Sequence, residues 1–413
     1  LSRFAELGFP TTKHEEWKYT DVKSLTQRHF NPVRSGSAVG LKASDIKSFT
    51  LNIPKAHILV CVNGHYSKEL SSVGKLPAGV KMGSIADAVK HDAGLVERHL
   101  AQYAKHGDDA FTALSTAFLV DGLFVHIPDG VILDTPIHLM FVSTGDGEFV
   151  SYPRVLIVAG KSSQAALVES HVHLSAKTYF TNVVVEAALG ENAVVELDKV
   201  QQDSLEAFHV SSMHVHQQRN SNFISNAITF GGGFVRNNIM AVLDGEGAEA
   251  TINGLYLGTG SQHIDNHTTI DHAKPHCPSH ELYKGILAGK SRGVFNGKIF
   301  VRKDAQKTDA KQTNKNLVLS DEASIDTKPQ LEIFANDVKC THGATIGQLD
   351  EEALFYLRSR GIGVDKARDI LIYAFASDVV NKIKIQEMRE ELQKILHDRL
   401  EQSRVFIKES STK

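Results

Sequence analysis

From about Phe111 onward, the chain alternates short apolar runs with small polar turns. Representative runs are IHLMFVS (137–143), RVLIVAG (154–160) and NVVVEAALG (182–190). The polar turns begin at Gly160, Gly190, Gln218 and Gly245, so they recur at nearly constant intervals. A regular repeat of this length with short strands is typical of a solenoid, whose stacked turns bury a column of Val, Ile, Leu and Ala. The pattern predicts a mainly β fold with a right-handed parallel β-helix that runs to about Ile346, and a sandwich of antiparallel strands is the competing interpretation.

Helical patterns lie on both sides of this β-rich region. Near the C-terminus, one apolar stripe with helical spacing consists of Ala367, Ile370, Leu371, Ala374, Phe375 and Val379, and a second consists of Ile385, Met388, Leu392, Ile395, Leu396 and Leu400. Near the N-terminus, helices are expected over 10–25, where Trp17 would pack against the main domain, and over 85–106. We therefore predict a mainly helical N-terminal domain over 1–110, a β-helix core over 111–346 and a C-terminal helical domain over 347–413.

The N-terminal region also contains one expected β-hairpin. Residues 57–67 read HILVCVNGHYS, an apolar run followed by the turn signal Asn63-Gly64. Cys61 lies inside the run, and we expect it to be an ordinary core residue.

Composition restricts the function classes. Of the 413 residues, 42% are hydrophobic and 23% are charged, and the net charge of −3 gives no indication of nucleic acid as a partner. No apolar run approaches the roughly 18 residues of a membrane span, and the N-terminus lacks a signal-peptide pattern. Because the three cysteines are widely spaced and argue against a disulfide framework, we expect a reducing, cytoplasmic setting. The sequence lacks an initiator Met, so we expect a truncated or processed chain.

The candidate chemistry lies over residues 326–362, where the pattern changes from strand to helix. One face of the expected strand carries Val338, Cys340, His342, Ala344 and Ile346. Because side chains at i and i+2 of a strand point the same way, the Cys340 thiol and the His342 imidazole can approach one metal or one partner surface. Lys339, beside the thiol in sequence, would favour the thiolate. The alternative interpretation is that both side chains pack in a core.

Other motifs give weaker signals. LAGKSRG (287–293) resembles a P-loop, but only three residues separate Gly285 from Gly289 where a P-loop has four. We therefore expect that this chain does not hydrolyse nucleotide itself. Five histidines surround Cys277 without a metal-binding spacing, so solvated or stacked histidines are expected at His263, His267, His272, His276 and His280. No Gly-x-Ser-x-Gly elbow supports a serine hydrolase.

Several segments together are similar to the SufB/SufD family of iron–sulphur cluster assembly proteins, and most similar to its SufD branch. They are FPTTKHEEWKYT (9–20), FNGKIFV (295–301), TDAKQTNKNLVLS (308–320), DTKPQLEIFA (326–335) and NDVKCTHGATIGQLDEEALFYLRSRGI (336–362). The resemblance extends from about Phe9 to about Phe375, and it is densest from Gly285 to Gly361.

The resemblance implies a parallel β-helix flanked by helical domains, and a non-catalytic scaffold subunit of a complex. The partners would be a SufB-like paralogue and two copies of the ABC-type ATPase SufC, to which the ATPase activity would belong. The segment that contains Lys339, Cys340 and His342 would lie at the interface with the paralogue, where a nascent iron–sulphur cluster forms. Cys340 and His342 are therefore candidate metal ligands, in a site that the partner chain would complete.

The resemblance also implies that the helix over 354–361 docks on the ATPase. The candidate partner-binding residues of this helix are Leu354, Phe355, Tyr356, Leu357, Arg358 and Arg360. Among them, Leu354, Phe355 and Leu357 are expected to seat the helix, while Arg358 and Arg360 offer planar forks to partner carboxylates or carbonyls and Tyr356 is an amphipathic anchor. Unlike SufB, the chain has no Cys-x₂-Cys and few cysteines, so we expect no cofactor in the isolated chain.

Two other interpretations remain open in the sequence. A β-helix enzyme acting on polysaccharide would need an acidic groove with Arg on one β-face and usually a secretory signal, and neither is evident. A purely structural partner would use the face with Cys340 and His342 only for packing. The sequence also leaves open a homodimer of the isolated chain, a flavin in the complex and the identity of the sulphur donor.

Overall fold

The computed structural model describes residues 1–34, 40–105, 107, 109–145, 147–175 and 177–401, together with the backbone of 402–410. Of the residues described in full, 43% lie in strands and 21% in helices. The strands are β1 (Asn31–Pro32), β2 (His57–Val62), β3 (His65–Ser72), β4 (Lys81–Ser84), β5 (Gly122–Ile127), β6 (Ile137–Ser143), β7 (Phe149–Ser151), β8 (Arg154–Ala159), β9 (Gln164–His173), β10 (Tyr179–Leu189), β11 (Val194–Gln202), β12 (Phe208–Gln217), β13 (Asn222–Thr229), β14 (Phe234–Leu243), β15 (Glu249–Gly258), β16 (His263–His272), β17 (Pro278–Leu287), β18 (Arg292–Val301), β19 (Asp309–Val318), β20 (Ser324–Ile333) and β21 (Lys339–Gly347).

The helices are concentrated before β5 and after β21. The α-helices are α1 (Ser2–Leu7), α2 (Lys23–Thr26), α3 (Ala43–Ile46), α4 (Ile85–His91), α5 (Ala93–His99), α6 (Ala110–Ala117), α7 (Glu351–Ser359), α8 (Val364–Val380) and α9 (Gln386–Ser410), and short 3-10 helices span Glu15–Trp17 and Lys47–Phe49. None of the helices in the described part of the chain combines the length and the apolar character needed to cross a bilayer.

Two sheets form the core, and successive strands alternate between them. Sheet A has the order β20-β18-β16-β14-β12-β10-β8-β5-β4, and sheet B has the order β21-β19-β17-β15-β13-β11-β9-β6-β2-β3. Neighbouring strands of successive coils pair in parallel, as β10 does with β12 and β11 with β13. The chain therefore winds as a parallel β-helix of about 7 turns, and the predicted fold class is confirmed.

The strand register explains the sequence repeat. Val194 pairs with Asn222, which pairs in turn with Glu249, so successive coils are offset by nearly the same interval as the polar turns. The turns stack as well, because the backbone N–H of Gly190 donates to the carbonyl of Ala159 at 2.8 Å. A Cβ added at Gly190 would lie 2.8 Å from the backbone nitrogen of Lys161. Glycine thus recurs in the turn clusters partly because stacked turns leave no room for a side chain there.

The interior of the β-helix is an apolar column built from alternate strand positions. It draws from both sheets and includes Val183, Val185, Leu197, Ile252, Ile264, Phe295 and Ile299, all buried. Burial of such side chains stabilises each coil by about 25 cal/mol per Å² of apolar surface removed from water. Each coil buries its apolar side chains fully only against a coil on either side, so a terminal coil needs a cap or a partner to cover its outer side.

The flanking segments cover the outer faces of the two sheets. Outside sheet A, the Trp17 ring packs 5.2 Å from the Phe111 ring, and the Arg236 guanidinium lies 4.3 Å from the centroid of Trp17. This cluster rests on Phe180, Phe208 and Phe234 of sheet A, so the expected packing of Trp17 against the main domain is confirmed. Outside sheet B, α8 and α9 pack on Val168, Val200, Ile228, Leu255 and Ile286.

The N-terminal region contains the predicted hairpin but not the predicted long helices. The hairpin over 57–67 forms as β2 and β3, with positive φ at Asn63 and Gly64 (47° and 88°), and Cys61 is a buried core residue. The helix expected over 10–25 is wrong, because only the 3-10 turn Glu15–Trp17 and the short α2 are helical. The helix expected over 85–106 is divided into α4 and α5, and His106 lies outside the described residues.

The two C-terminal apolar stripes have different outcomes. The second is confirmed, since the buried residues of α9 include Met388, Leu392, Leu396 and Leu400. The first is wrong in its phase, because α8 buries Ala367, Ile372, Ala376, Val379 and Val380. Ile370, which the stripe places in the core, is 38% exposed.

The two ends of the β-helix differ. At the N-terminal end, each sheet finishes in an antiparallel strand, β4 in sheet A and β3 in sheet B. At the C-terminal end, the sheets finish in β20 and β21, which run parallel to their inner neighbours. Within the described part of the chain, no strand pairs with the far side of either one. We call this surface of β20 and β21 the open end.

Candidate functional site

Strand β21 positions Cys340 and His342 on the inward face of the last coil. In the ladder with β19, Cys340 pairs with Ala310 and His342 pairs with Gln312, and both β19 residues are buried. Two residues of strand rise correspond to about 6.6 Å between the Cα atoms of Cys340 and His342. The structure thus agrees with the prediction that the thiol and the imidazole share one strand face.

The inward positions of the last coil are accessible because no further coil covers them. Ile346 on β21 is 54% exposed and Ile333 on β20 is 39% exposed, although the equivalent positions of earlier coils are buried. His342 is exposed, so it does not pack in the core of this chain. Cys340 is half-buried against the interior apolar cluster. The open end therefore presents a thiol, an imidazole and apolar side chains on one surface.

The electrostatic environment of Cys340 differs from the one expected. Burial raises the pKa of the Cys340 thiol; a hydrogen bond from the backbone of Ala310 partly offsets this rise, and the Asp309 carboxylate adds to it. The expectation that Lys339 favours the thiolate is therefore wrong, and Lys339 is exposed on the opposite face of the strand. A thiol of this kind is protonated at neutral pH and releases its proton when it binds a metal.

The donor set at the open end is incomplete as a metal site. Within the described residues, no group of three or more His, Cys, Asp or Glu side chains is arranged to hold a metal ion. Cys340 and His342 are two donors of the types that ligate iron–sulphur clusters, whereas a whole cluster or a structural zinc takes four protein ligands. A metal bound here would need the remaining ligands from another molecule.

The backbone of β21 offers a second kind of contact. The N–H of Lys339 donates to the carbonyl of Thr308 at 2.8 Å, so Lys339 faces the inner neighbour. Since consecutive residues of a strand bond to opposite sides, the N–H and C=O groups of Cys340, His342 and Ala344 point away from β19. Such a row of free backbone groups is a template for pairing with another strand.

Helix α7 begins a few residues after β21, as the sequence predicts. The Asp350 carboxylate caps it by accepting hydrogen bonds from the N–H groups of Glu352 and Ala353 at 2.9 and 3.1 Å. Positive φ at Gly361 (83°), where glycine has no steric cost, follows its end. Only residues 348–350 separate β21 from α7.

Helix α7 has a partly buried side and an exposed side. Leu354 and Leu357 are half-buried, which fits residues that seat the helix. Phe355 is 73% exposed and therefore does not pack on its own chain, and Tyr356 beside it is 57% exposed. Arg358 and Arg360 are also exposed, and the Arg360 guanidinium lies 5.2 Å from the centroid of the Tyr356 ring. This surface of two aromatic rings and two guanidinium groups is typical of a protein-binding site.

Comparison with known proteins identifies the family. A model described as "SufBD protein N-terminal region" matches residues 1–139, and one described as "SUF system FeS cluster assembly, SufBD core domain" matches residues 141–375. The chain belongs to the SufBD family. The family resemblance seen in the sequence motifs is thereby confirmed.

Individual SufBD relatives align along most of the chain. An iron-sulfur cluster assembly SufBD family protein of Synechocystis is 35% identical over 94% of this chain and 86% of its own length. The iron-sulfur cluster assembly protein SufD of Escherichia coli is 30% identical over 95% of this chain and 89% of its own length. SufD of Bacillus subtilis is 28% identical over 77% of this chain and 73% of its own length.

Other segments considered in the sequence lie apart from the open end. LAGKSRG forms the turn between β17 and β18, whereas a P-loop leads from a strand into a helix. The histidines near Cys277 do not converge, because His263 contacts Thr20 at 2.9 Å and His267 contacts Asp265 at 3.0 Å. His272 is buried and contacts Ser279 at 3.0 Å, so the expectation of solvated or stacked histidines is wrong for this residue.

A buried polar column lies beneath the open end of this SufBD protein and was not predicted from the sequence. On β19, Gln312, Asn314 and Asn316 alternate inward and are all buried. Asn316 accepts a hydrogen bond from the Tyr256 hydroxyl at 2.7 Å and donates to the side-chain oxygen of Asn314 at 2.6 Å. The available signal was the alternation of uncharged amides with lysines in KQTNKN (311–316).

Proposed function

We propose that this SufBD protein is a non-catalytic scaffold subunit that pairs with a SufB-like paralogue and a SufC-like ABC ATPase. Its open end would join the paralogue, and Cys340 and His342 would contribute ligands to a nascent iron–sulphur cluster at that interface. The observation that carries the proposal is the placement of both donors on the inward face of an uncapped terminal coil.

The backbone and the side chains of the open end support a protein partner. A long exposed edge strand is an aggregation hazard that proteins usually cover or blunt, and here Ile333 and Ile346 add exposed apolar surface beside it. A homologous β-helix is a suitable occupant, because its own terminal coil would continue both the backbone ladder and the apolar column. A second copy of this chain could cover the same end in the isolated protein.

Shared ligation follows from the number of donors. Two ligands from this chain are half of the four protein ligands that a cluster takes, so the paralogue would supply the others. The isolated chain is accordingly expected to bind iron weakly. The cluster is a product of the assembly and leaves it, which suits a site formed between two proteins that can separate slightly.

Helix α7 is the proposed contact with the ATPase. Phe355 and Tyr356 offer exposed anchors and Arg358 offers a planar cation, a combination enriched at binding hot spots. Lys284 of sheet B donates to the carbonyl of Phe375 on α8 at 2.9 Å and pairs with Asp378. Closure of the ATPase pair would therefore act on sheet B through α7 and α8, and would open the interface to iron and sulphur.

We also propose that the partner hydrolyses ATP and that the complex is cytoplasmic. Three cysteines, all free, support a reducing compartment. The turn that carries LAGKSRG joins two strands of the described chain, so it lacks the helix N-terminus that a P-loop uses to hold phosphate.

Co-expression with a SufB-like and a SufC-like protein tests this function. The complex should be recovered on a tag carried by this chain, and it should contain iron and acid-labile sulphide after reconstitution. His342→Ala should reduce the iron and sulphide content several-fold without preventing recovery of the complex. Because His342 is exposed, the isolated variant should remain folded.

Normal cluster content in both His342→Ala and Cys340→Ser complexes would remove the ligand role. Failure to recover either partner with the wild-type chain would contradict the scaffold assignment itself. Cys340→Ser is the matched thiol variant, since it keeps nearly the same volume in a half-buried position.

A further inference from the structure

Gln312 lies one coil below His342 in the same inward-facing column. The two residues are partners in the parallel ladder between β19 and β21, where neighbouring strands are about 4.8 Å apart. Gln312 is only 2% exposed, so its amide must find its hydrogen-bond partners inside the protein. His342 is the residue above it at the open end.

A buried carboxyl group fixes the orientation of the Gln312 amide. Its Nε2 donates to Oε2 of Glu281 at 2.7 Å, and Oε1 of Glu281 accepts a further hydrogen bond from the Thr268 hydroxyl. The remaining carbonyl oxygen, Oε1 of Gln312, is buried and has no hydrogen-bond partner within the described part of the protein. Burying an amide oxygen without a partner is costly, and such atoms are few in native structures.

The opposite wall of the β-helix leaves room for this amide. A Cβ added at Gly297 on β18 would lie 2.3 Å from Nε2 of Gln312 and 2.7 Å from the Phe295 ring. Only glycine at this position allows the Gln312 side chain to reach Glu281. Glu281, Thr268 and Gly297 thus fix the orientation of the Gln312 amide, and Oε1 of Gln312 remains available as an acceptor.

His342 has the complementary group. A neutral imidazole carries an N–H on one ring nitrogen and a lone pair on the other, and no hydrogen bond joins the His342 ring to another described residue. We propose that Oε1 of Gln312 accepts a hydrogen bond from one ring N–H of His342, which directs the lone pair of the other ring nitrogen toward the partner interface. This inference rests on the proposed function, in which His342 is a ligand.

Gln312 is then a positioning residue that acts through His342. Histidines that bind a metal through one ring nitrogen commonly donate a hydrogen bond from the other ring N–H to an oxygen acceptor, which fixes the tautomer and the ring orientation. Loss of such an acceptor typically lowers metal affinity by about 10–100-fold. Glu281 and Gly297 contribute indirectly, because they fix the Gln312 amide that would orient the His342 imidazole.

Ring nitrogen resonances of the full-length isolated chain, labelled with nitrogen-15 histidine, test the hydrogen bond directly. The spectrum is recorded near pH 8.5, and His342→Ala identifies the His342 signals. Wild-type His342 should show one dominant tautomer, and Gln312→Met, which keeps the length but lacks the carbonyl, should convert it to a mixture. Gln201→Met is the matched control, because Gln201 is also a buried inward-facing glutamine of sheet B but lies several coils away.

A wild-type His342 with the tautomer mixture of free imidazole would overturn the proposal, even if the Gln312 variant failed to fold. An unchanged spectrum in Gln312→Met would overturn it as well. In the assembled complex, Gln312→Met should lower the iron and sulphide content several-fold without reducing recovery of the partners. If the tautomer responds as expected but His342→Ala leaves the cluster content normal, the hydrogen bond stands and the ligand role of His342 falls.

Discussion

At the scale of single residues, the last coils combine apolar packing with a few buried ionisable groups. Glu281 is the clearest case, since it is 4% exposed and receives hydrogen bonds from the neutral side chains of Thr268 and Gln312. Burial raises the pKa of Glu281 to about 7, and the two hydrogen bonds limit the rise. The folded protein therefore holds a proton on Glu281 more tightly than the unfolded chain does.

The stability of the protein should therefore depend on pH through the protonation of Glu281. Stability contributed by the protonated Glu281 is fully present below the unfolded pKa, about 4.3, and is lost as the pH rises through about 7. Glu281→Gln cannot lose a proton, so the unfolding free energy of the variant relative to wild type should rise by about 1–3 kcal/mol between pH 5 and pH 8.5. Urea denaturation at both pH values measures the difference.

Other titrating groups do not disturb this comparison. Burial lowers the pKa of His138, His209 and His272 to about 4, and these residues are common to both proteins. Glu246→Gln, at an exposed position, is the matched control and should follow the wild type. Parallel stability curves for Glu281→Gln and wild type would contradict the assignment.

The sequence could predict the site at this scale only in part. The alternation from Val338 to Ile346 was sufficient to place Cys340 and His342 on one face. It could not show that the pKa of the Cys340 thiol is raised, because burial is the largest cause of that shift and burial depends on tertiary packing. Gln312 was missed because its importance depends on register with another strand and on the empty space at Gly297.

At the scale of elements, β21 and α7 are the two parts that would meet partners. The strand and the helix could be predicted from their periodicities, because the strand and helix patterns are distinct over this stretch. The exposure of the Phe355 side chain could not be predicted, because the sequence does not show that α7 packs on α8 rather than on the β-helix. The buried face of α8 was predicted wrongly for a related reason, because α8 contacts α7, α9 and sheet B on different sides.

The helix expected over 10–25 failed because tertiary contacts outweigh local propensity. The Glu16 carbonyl accepts a hydrogen bond from Arg236 at 2.9 Å, and the Thr20 hydroxyl donates to Asp265 at 2.5 Å. These contacts hold the segment in a mostly irregular conformation on the outside of sheet A. A local pattern carries no information about such anchors, because Arg236 and Asp265 lie in the distant strands β14 and β16.

Proline substitutions in β21 test its role as a docking edge. Ala344→Pro removes an N–H that points away from β19, so it should leave the isolated chain folded and weaken binding of the paralogue by at least about tenfold, or 1.4 kcal/mol. Thr345→Pro removes an N–H that faces β19 and should destabilise the isolated chain by about 1–3 kcal/mol. Thermal unfolding and affinity measurements on both variants separate the two effects; unchanged paralogue binding in Ala344→Pro would exclude strand pairing at this edge.

Substitutions in α7 test the ATPase contact. Because Phe355 is 73% exposed and Arg358 is exposed, Phe355→Ala and Arg358→Glu should leave the melting temperature of the isolated chain almost unchanged. Each should weaken binding of the ATPase by about 2 kcal/mol or more, as for a hot-spot residue. Leu357→Ala, at a half-buried position, is the stability control. A lower melting temperature with normal ATPase binding in Arg358→Glu would assign this residue to the fold.

At the scale of the whole molecule, the β-helix is covered on both faces and capped at one end. The N-terminal segment lies on sheet A, α8 and α9 lie on sheet B, and the antiparallel strands β3 and β4 finish the N-terminal end. The regular repeat of polar turns made this architecture predictable, since it fixes the length of a coil. Which end stays open was not predictable from the repeat, because the last coil has the same pattern as those before it.

We propose that this chain provides a cluster ligand at its open end. Pulsed electron paramagnetic resonance tests this on the reconstituted, reduced complex in which only this chain carries nitrogen-15 histidine. We predict a nitrogen-15 hyperfine coupling to the cluster that disappears in His342→Ala and persists in His267→Ala, a histidine on the outer face of sheet A. A cluster that forms in full yield without nitrogen-15 coupling from this chain would contradict the account.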